Sequence, residues 1–399
     1  MLLSKLVKSV SKKYRKMPVR SISFDSRKVN KGDIFFAVQG KKKSGIRFIR
    51  EAEKKGASII VTSKKINYKN CKVPFILVKD VRKCLSEACS NFYKKKPKTI
   101  IAVTGTNGKS SVADFFYQIL SINKIPSASI GTLGIISKKY KKKTNLTSLD
   151  PLRLHANLQR LKKNKVDHVI LEASSHGLQQ KRLNGLNIKI GIFTNFSQDH
   201  LDYHKNMQSY FNSKMYLFKD LLKKKSKIIT DNENKEFKRI KKISNGKKIE
   251  IKTIGLKKGN IKVIENKYNE NRQIISVLIN SKIFIIEVPL IGFFQIKNLL
   301  MAILAANFCG LSYRQIFSKI NKIRPVPGRL EYIAKLNNNS SVIIDFAHTP
   351  DALEKSLIEI KKQFKKDIVL VFGCGGERDK NKRFIMGKIA NKYCKKIYV

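Results

Sequence analysis

The run Thr104-Gly105-Thr106-Asn107-Gly108-Lys109-Ser110-Ser111 combines two glycines, a lysine and hydroxyls. That set suits a nucleotide phosphate. Glycines let backbone N–H groups approach the phosphate oxygens, Lys109 would neutralise the β- and γ-phosphates, and the Ser110 hydroxyl suits Mg²⁺. The spacing Gly-x-x-Gly-Lys-Ser is two residues shorter than the general phosphate-loop pattern. A second set follows, with Glu172 before Ala173-Ser174-Ser175-His176-Gly177-Leu178, and Asp199-His200-Leu201-Asp202-Tyr203-His204 further on. A carboxylate and an imidazole beside Lys109 could hold a cation between ATP and an acceptor. His200 and His204 do not make the H-E-x-x-H zinc motif, because Leu201 follows the first histidine.

These residues need strands and helices to place them. Thr99–Val103 is a β-branched apolar run leading directly into the loop. Behind the loop, Val112, Phe115, Phe116, Ile119 and Leu120 share one helical face. His168–Leu171 reads as a buried strand with Glu172 at its carboxyl end, and Ile188–Phe193 as another leading to Asp199 and His200. In open parallel sheets ligands bind beyond the carboxyl ends of strands, so Glu172 and His200 are expected to converge beside Lys109. Alternating strands and amphipathic helices from residue 99 to about 325 indicate a mostly parallel α/β sheet. The run Lys94-Lys95-Lys96-Pro97-Lys98 and the run Arg324-Pro325-Val326-Pro327-Gly328 punctuate the chain. They divide it at 1–95, 96–325 and 326–399. The last segment reads as strand Val342–Phe346, helix Asp351–Phe364, strand Ile368–Phe372, a Gly-rich loop, a helix and a final strand ending at Val399. The Lys/Asn-rich stretch from about 223 to 290 carries β-type patches such as Ile283–Val288 and has no evident role.

The chain has 399 residues, with 84 Lys+Arg against 28 Asp+Glu and a formal charge of +56. Its lysines come in short scattered runs rather than on one helix or arm, and no RNA-recognition, zinc-finger or basic-zipper pattern accompanies them. The excess therefore reads as a solvated surface, with no nucleic-acid partner expected. No apolar run approaches the roughly 20 residues that span a membrane, and Leu299–Ala306 is the best candidate. No membrane insertion is expected. The basic N-terminus lacks a continuous apolar segment, so no secretory signal is read. Six scattered cysteines without a C-x-x-C pair fit reduced thiols in a cytoplasmic protein.

Taken in order, these motifs resemble the Mur ligases, the ATP-dependent amide-forming enzymes of peptidoglycan synthesis. The resemblance is strongest to the MurE branch, which adds the third amino acid to UDP-N-acetylmuramoyl-L-Ala-D-Glu. Asp25–Val29 with Gly32–Ala37 looks like the uridine-binding first domain. Glu172–Leu178 with Gln180 and Arg182 is the most branch-specific string. Asp199–His204, Asn298, Pro327–Glu331, Asp345–Asp351 and Phe372–Arg378 continue the family order. The resemblance implies a three-domain α/β fold: a small uridine-binding domain, a central P-loop ATPase-like parallel sheet and a Rossmann-like C-terminal domain.

It also implies roles residue by residue. Gly105, Thr106, Asn107, Gly108, Lys109, Ser110 and Ser111 would hold ATP phosphates, with Asn298, Arg329 and Asp345 on the adenine, phosphate and ribose sides. Ser26, Thr147, Ser148, Ser174, Gln180 and Arg182 would bind the UDP-muramoyl-dipeptide. Lys109, Glu172, His200 and Lys214 would be the catalytic set. Ser110, Glu172, His200 and a carbamoylated Lys214 would support Mg²⁺, since carbamoylation turns an amine into the oxygen ligand a hard cation prefers. Without the resemblance, Lys214 is one solvated lysine among many. Arg378 would grip the incoming amino acid's carboxylate. His176 and His348 are candidate proton acceptors. The implied protein is a monomeric cytoplasmic ligase serving cell-wall biogenesis, cell shape and division.

Two departures stand out. Gly292-Phe293-Phe294-Gln295 replaces the family's usual Gly-x-Phe-Asn, and Lys41-Lys42-Lys43 follows Gly40. The Asp-Asn-Pro-Arg signature that selects the third amino acid would fall beyond Val399, so the third domain is expected to be truncated. The competing readings are a substrate-binding remnant without ligase activity and a folylpolyglutamate-synthase-like ligase.

Overall fold

The computed structural model covers residues 1–399 and describes all of them except 9, 41–43, 65–70 and 375–380. The chain divides into two compact units. The first comprises Met1–Lys98, Ser148–Asp167 and His176–Asn187. Its sheet has four parallel strands in sequential order: β1 (Ile22–Ser23), β2 (Ile34–Phe36), β3 (Ile59–Thr62) and β4 (Phe75–Leu77). Side chains alternate across a strand, so Ile34 and Phe36 face one way and Phe35 the other. Both faces are covered. Ile34, Phe36, Ile59 and Val61 pack with Leu85, Ala88 and Cys89 of the helix Val81–Phe92, while Phe35 and Ile60 pack with Ile49 and Ala52. Asp80 caps that helix by accepting from the Lys83 N–H at 2.9 Å. The same helix anchors the segment 176–187: Ser86 Oγ donates to the Lys181 carbonyl at 2.6 Å and Ser90 Oγ to the Gly185 carbonyl at 2.7 Å.

The second unit comprises Thr99–Thr147, His168–Ser175 and Ile188–Val399. It is built on one eleven-stranded sheet. The strands are β5 (Thr99–Thr104), β6 (Ser127–Gly131), β7 (Gly134–Ser137), β8 (Lys141–Lys142), β9 (His168–Glu172), β10 (Ile188–Phe193), β11 (Lys227–Asp231), β12 (Glu250–Gly255), β13 (Ile261–Asn269), β14 (Arg272–Ile279) and β15 (Lys282–Val288). Their order is β15-β14-β13-β12-β11-β10-β5-β9-β6-β7-β8. From β13 through to β6 neighbours pair in parallel; the outer pairings at both edges are antiparallel. The chain leaves β5 for β6 and β9 on one side and returns to β10 on the other. β5 therefore sits at a switch point, where open α/β sheets bind ligands. The stretch from 223 to 290, which had no evident role, supplies β11 to β15.

One core lies under this sheet. Ile101, Val103, Ile170, Ile190 and Ile192 meet the helices Lys109–Ile122 and Phe293–Phe308. The second of these contains Leu299–Ala306, and its apolar character is explained by burial: Leu299, Leu300, Ala302 and Ile303 are wholly enclosed. A helix that is apolar all round must be covered on all sides. Among the described residues no helix is long and apolar enough to cross a membrane.

The remaining elements of this unit form the hairpin β16 (Glu331–Lys335) and β17 (Ser341–Ile344), the helix Pro350–Phe364, and β18 (Val369–Val371) paired in parallel with β19 (Lys396–Tyr398). β17 stops before Phe346 because Asp345 Oδ1 accepts from the N–H groups of Phe346 (2.9 Å) and Leu330 (3.2 Å), which pulls the backbone out of the ladder. Leu300 tests the account of the core. Leu300→Ala is expected to cost about 2–5 kcal/mol of stability, read as a lower urea midpoint, whereas a loss under about 1 kcal/mol would contradict the packing.

Candidate active site

The phosphate loop leaves β5 as the sequence indicates, and its shape depends on Gly108. This residue adopts φ +83°, which L side chains avoid, and a Cβ there would lie 2.5 Å from Asn298 Oδ1. The loop is held from β10: Asn107 N–H donates to Asn195 Oδ1 at 2.9 Å, Thr106 N–H to the Asn195 carbonyl at 2.9 Å, and Thr194 Oγ1 to the Asn107 carbonyl at 2.5 Å. These bonds fix the shape of the loop.

Glu172 ends β9 and is 3% exposed. Its carboxylate accepts from Ser110 Oγ at 3.0 Å, Thr132 N at 2.8 Å and Thr132 Oγ1 at 3.2 Å. Room for it exists only because residue 131 is glycine, where a Cβ would stand 2.1 Å from Glu172 Oε1.

Two lysines meet at one atom. Lys109 Nζ donates to the Gly105 carbonyl at 2.9 Å and to that of Thr106 at 2.6 Å; Lys214 Nζ donates to the same Gly105 oxygen at 2.7 Å. Lys214 is 1% exposed and lies 4.3 Å from the Tyr210 ring centroid. Burial first, then the neighbouring Lys109, drive its amine well below the ordinary lysine value, with Asp199 opposing. Burial also lowers Lys109, opposed by Glu172 and Asp199. His200 lies 3.3 Å from Asp199 Oδ2 through Nε2; burial lowers it despite that partner, with Lys109 and Lys214 reinforcing the effect.

A cavity of about 360 Å³ opens beside the loop, lined by Asn107, Gly108, Asn298, Arg329, Asp345 and Phe346 among others. Arg329 approaches Ser110 Oγ at 3.5 Å, and its guanidinium lies 4.8 Å from the Phe346 ring centroid. Asp345 Oδ2 accepts from Ser356 Oγ at 2.6 Å. Asn107 Nδ2 donates to Asp351 Oδ2 at 3.4 Å. Gln295, at the departing position, donates to the Arg329 carbonyl at 3.0 Å and accepts from Asn298 Nδ2 at 3.1 Å.

Comparison with known proteins places this arrangement. Residues 18–93 match the description "Mur ligase family, catalytic domain", 103–306 the "Mur ligase middle domain" and 328–399 the "Mur ligase, glutamate ligase domain". A UDP-N-acetylmuramoyl-L-alanyl-D-glutamate–2,6-diaminopimelate ligase of Rickettsia montanensis is 38% identical over 95% of this chain and 79% of its own length. The chain belongs to the Mur ligase family. A Brucella melitensis ligase of the same name is 38% identical, over 94% of this chain and 77% of its own. A solved structure of a protein so named superposes with a TM-score of 0.81 at 28% identity, covering all of this chain and 81% of that one. The Mur ligase fold is thus the α/β arrangement that the motifs implied.

In this Mur ligase, the second unit brings Lys109, Ser110, Glu172, His200, Lys214, Asn298, Arg329 and Asp345 around the end of β5. Thr147 and Ser174 lie in the same unit; Thr147 Oγ1 sits 3.2 Å from Thr132 Oγ1. The first unit gathers Ser148, Gln180 and Arg182, with Arg182 donating from Nε and Nη2 to Gln180 Oε1 and from Nη1 to the Ser148 carbonyl. Ser26 is also there, in a short turn, donating to Glu51 Oε2 at 2.7 Å. His176 falls in the first unit; His348, in the second, is exposed and bonded through Nδ1 to the Phe346 carbonyl at 3.0 Å. Arg378 and Lys41–Lys43 lie outside the described residues. Sequence reasoning missed Thr132, Thr194, Asn195, Tyr210 and Asp351. Thr194 and Asn195 carried a signal as the polar residues just past a buried strand, and Asp351 stood in the run Asp345–Asp351 without an assigned role.

Lys214 also makes a prediction about stability. In the folded chain it loses its proton at a lower pH than in the unfolded chain, where lysine holds it up to about 10.5. Between those values the unfolded chain binds the extra proton, so stability rises with pH across that window. Lys214→Met is expected to remove this part of the slope in urea unfolding of CO₂-free protein as the pH rises toward the ordinary lysine value of about 10.5. An unchanged slope would contradict a depressed Lys214.

Proposed function

We propose that this chain is the ligase that joins 2,6-diaminopimelate to UDP-N-acetylmuramoyl-L-Ala-D-Glu in the cytoplasm, at the expense of ATP and through an acyl phosphate. The observation that carries the reading is the gathering of Lys109, Lys214, Ser110, Glu172 and Arg329 at the carboxyl end of β5 and β9, in a chain 38% identical to ligases of that name.

The chemistry begins with two anions. A substrate carboxylate must attack the γ-phosphate of ATP, and the pair repel unless cations lie between them. Lys109 leaves the Gly105 and Thr106 carbonyls to meet the β- and γ-phosphates, and the loop N–H groups follow the phosphate oxygens. Arg329 neutralises charge from the opposite side, while Asn298, behind Gly108, and Asp345 flank the nucleotide in the cavity. The amine of the incoming amino acid then attacks the acyl carbon. Phosphate leaves, the amine gives up its proton, and an amide remains. Thr147, Ser148, Ser174, Gln180 and Arg182 would bind the UDP-linked substrate, with Ser26 on its uridine part.

Mg²⁺ fits the residues present. The Ser110 hydroxyl and Glu172 carboxylate stand 3.0 Å apart, both hard oxygen donors, and burial holds His200 toward its neutral, ligating form. Mg²⁺ ordinarily keeps several waters and takes only one or two protein oxygens beside substrate phosphates. When bound, the ion screens the transferring phosphoryl group. Lys214 would complete the set: its neutral amine attacks CO₂ and sheds a proton, giving a carbamate whose anionic oxygens take the place of an amine.

Incubation with ATP, Mg²⁺, UDP-N-acetylmuramoyl-L-Ala-D-Glu and 2,6-diaminopimelate is expected to release phosphate only when all four are present. No release would defeat the ligase reading, and release with folate substrates alone would favour a folylpolyglutamate-synthase-like activity. Lys109→Ala is expected to abolish turnover, by about 10³-fold or more, yet to leave binding of the UDP-substrate nearly intact. A large loss of that binding would contradict its placement at the phosphates. Bicarbonate added to CO₂-depleted enzyme is expected to restore activity, and an unresponsive enzyme would count against the carbamate.

A further inference from the structure

Thr132 has no assigned part in the chemistry, yet it joins two groups that do. It directly follows β6, with its N–H on Glu172 Oε1 at 2.8 Å and its hydroxyl on Glu172 Oε2 at 3.2 Å, so backbone and side chain grip both carboxylate oxygens. The same hydroxyl lies 3.2 Å from the hydroxyl of Thr147. Ser110 donates to Glu172 from the phosphate loop at 3.0 Å. A continuous line therefore runs Thr147, Thr132, Glu172, Ser110.

The direction of the protons along this line follows from inventory. A carboxylate only accepts, so Thr132 spends its single hydroxyl proton on Glu172. The contact between the two threonines then needs its proton from Thr147. With that proton committed, Thr147 presents only lone pairs to anything else. We propose that Thr132 is a positioning residue that holds Glu172 and polarises Thr147, so that Thr147 recognises an N–H or O–H donor of the UDP-linked substrate rather than one of its phosphate or carboxylate oxygens. This rests on the reading of Thr147 as a contact to that substrate. The substrate class supplies such donors in its amides and sugar hydroxyls. A carboxylate or phosphate oxygen directed at Thr147 would meet a lone pair and be turned away, which keeps the reacting carboxylate free to approach the γ-phosphate.

The test is a double-mutant cycle on the full chain, with UDP-N-acetylmuramoyl-L-Ala-D-Glu titrated calorimetrically in the absence of ATP and turnover followed separately. Thr132→Val and Thr147→Val are each expected to weaken binding by about 5-fold to 10-fold, the scale of one hydrogen bond. The double variant should bind within about twofold of either single one, because both changes break the same line. Thr132→Val should also lower kcat by about 10-fold through the loosened Glu172, while Thr147→Val acts mainly on the KM of the UDP-substrate. Thr132→Ser, which keeps the hydroxyl, should restore both parameters to within about threefold. Additive losses in the cycle would overturn the relay, as would a Thr132→Ser variant as impaired as Thr132→Val. If Thr132→Val fails to fold, Thr132→Ala removes the same hydroxyl and is read in the same cycle. Wild-type protein that binds and turns over the substrate while the losses add defeats the relay alone. Wild-type protein that neither binds nor turns it over defeats the ligase reading, and the relay with it.

Discussion

Two buried amines share one carbonyl oxygen, and much of the site follows from that. Lys109 and Lys214 both donate to the Gly105 carbonyl, at 2.9 and 2.7 Å. Two ammonium groups at such range, with little water to screen them, repel strongly. Burial and the neighbouring Lys109 both push the enclosed Lys214 amine well below the ordinary lysine value. Burial lowers the Lys109 amine as well; Glu172 and Asp199 oppose that shift, and Arg329 adds to it. The result is a cradle rich in basic side chains, the electrostatic complement of a triphosphate meeting a carboxylate.

The scaffold is arranged to hold that cradle still. Parallel pairing of β5, β9, β10 and β11 brings four carboxyl ends to one edge, so that Gly105, Glu172, Thr194 and Asp231 become neighbours of one another's strands. Two helices enclosed against the sheet fix the loop and Asn298 from beneath, and Gly108 lets them approach closely. Gln295 reaches from the start of the second helix to the Arg329 carbonyl, linking the cavity wall to the segment that carries Arg329. A glutamine at this departing position keeps an amide in play with a longer reach.

Much of this was legible in the amino-acid sequence because the decisive signals are local. The phosphate loop needs glycines at fixed offsets, buried parallel strands are β-branched runs, and Glu172 sits at the end of one. What escaped depends on contacts between distant segments. Thr132 is an ordinary threonine until β6 brings it beside Glu172, and Asp351 looks like a helix-start acid until Asn107 meets it. Lys214 is indistinguishable by type among 84 basic residues. Only the family resemblance singled it out, and its burial beside Lys109 explains why it differs chemically from the rest. Of the many basic residues, Lys109, Lys214 and Arg329 stand at the phosphate loop, and Lys297 and Lys355 line the cavity beside it. The stretch from 223 to 290 was opaque because its antiparallel strands alternate inward and outward residues at the edge of the sheet, a weaker pattern than the continuous apolar runs at its centre.

The central claim is that this cradle phosphorylates a carboxylate. Its most direct test is the fate of a heavy-oxygen label placed in both oxygens of each D-Glu carboxylate of UDP-N-acetylmuramoyl-L-Ala-D-Glu. Acyl-phosphate chemistry predicts that each inorganic phosphate released with ADP carries one labelled oxygen, read by mass spectrometry. Phosphate released without label while the amide product forms would contradict the account.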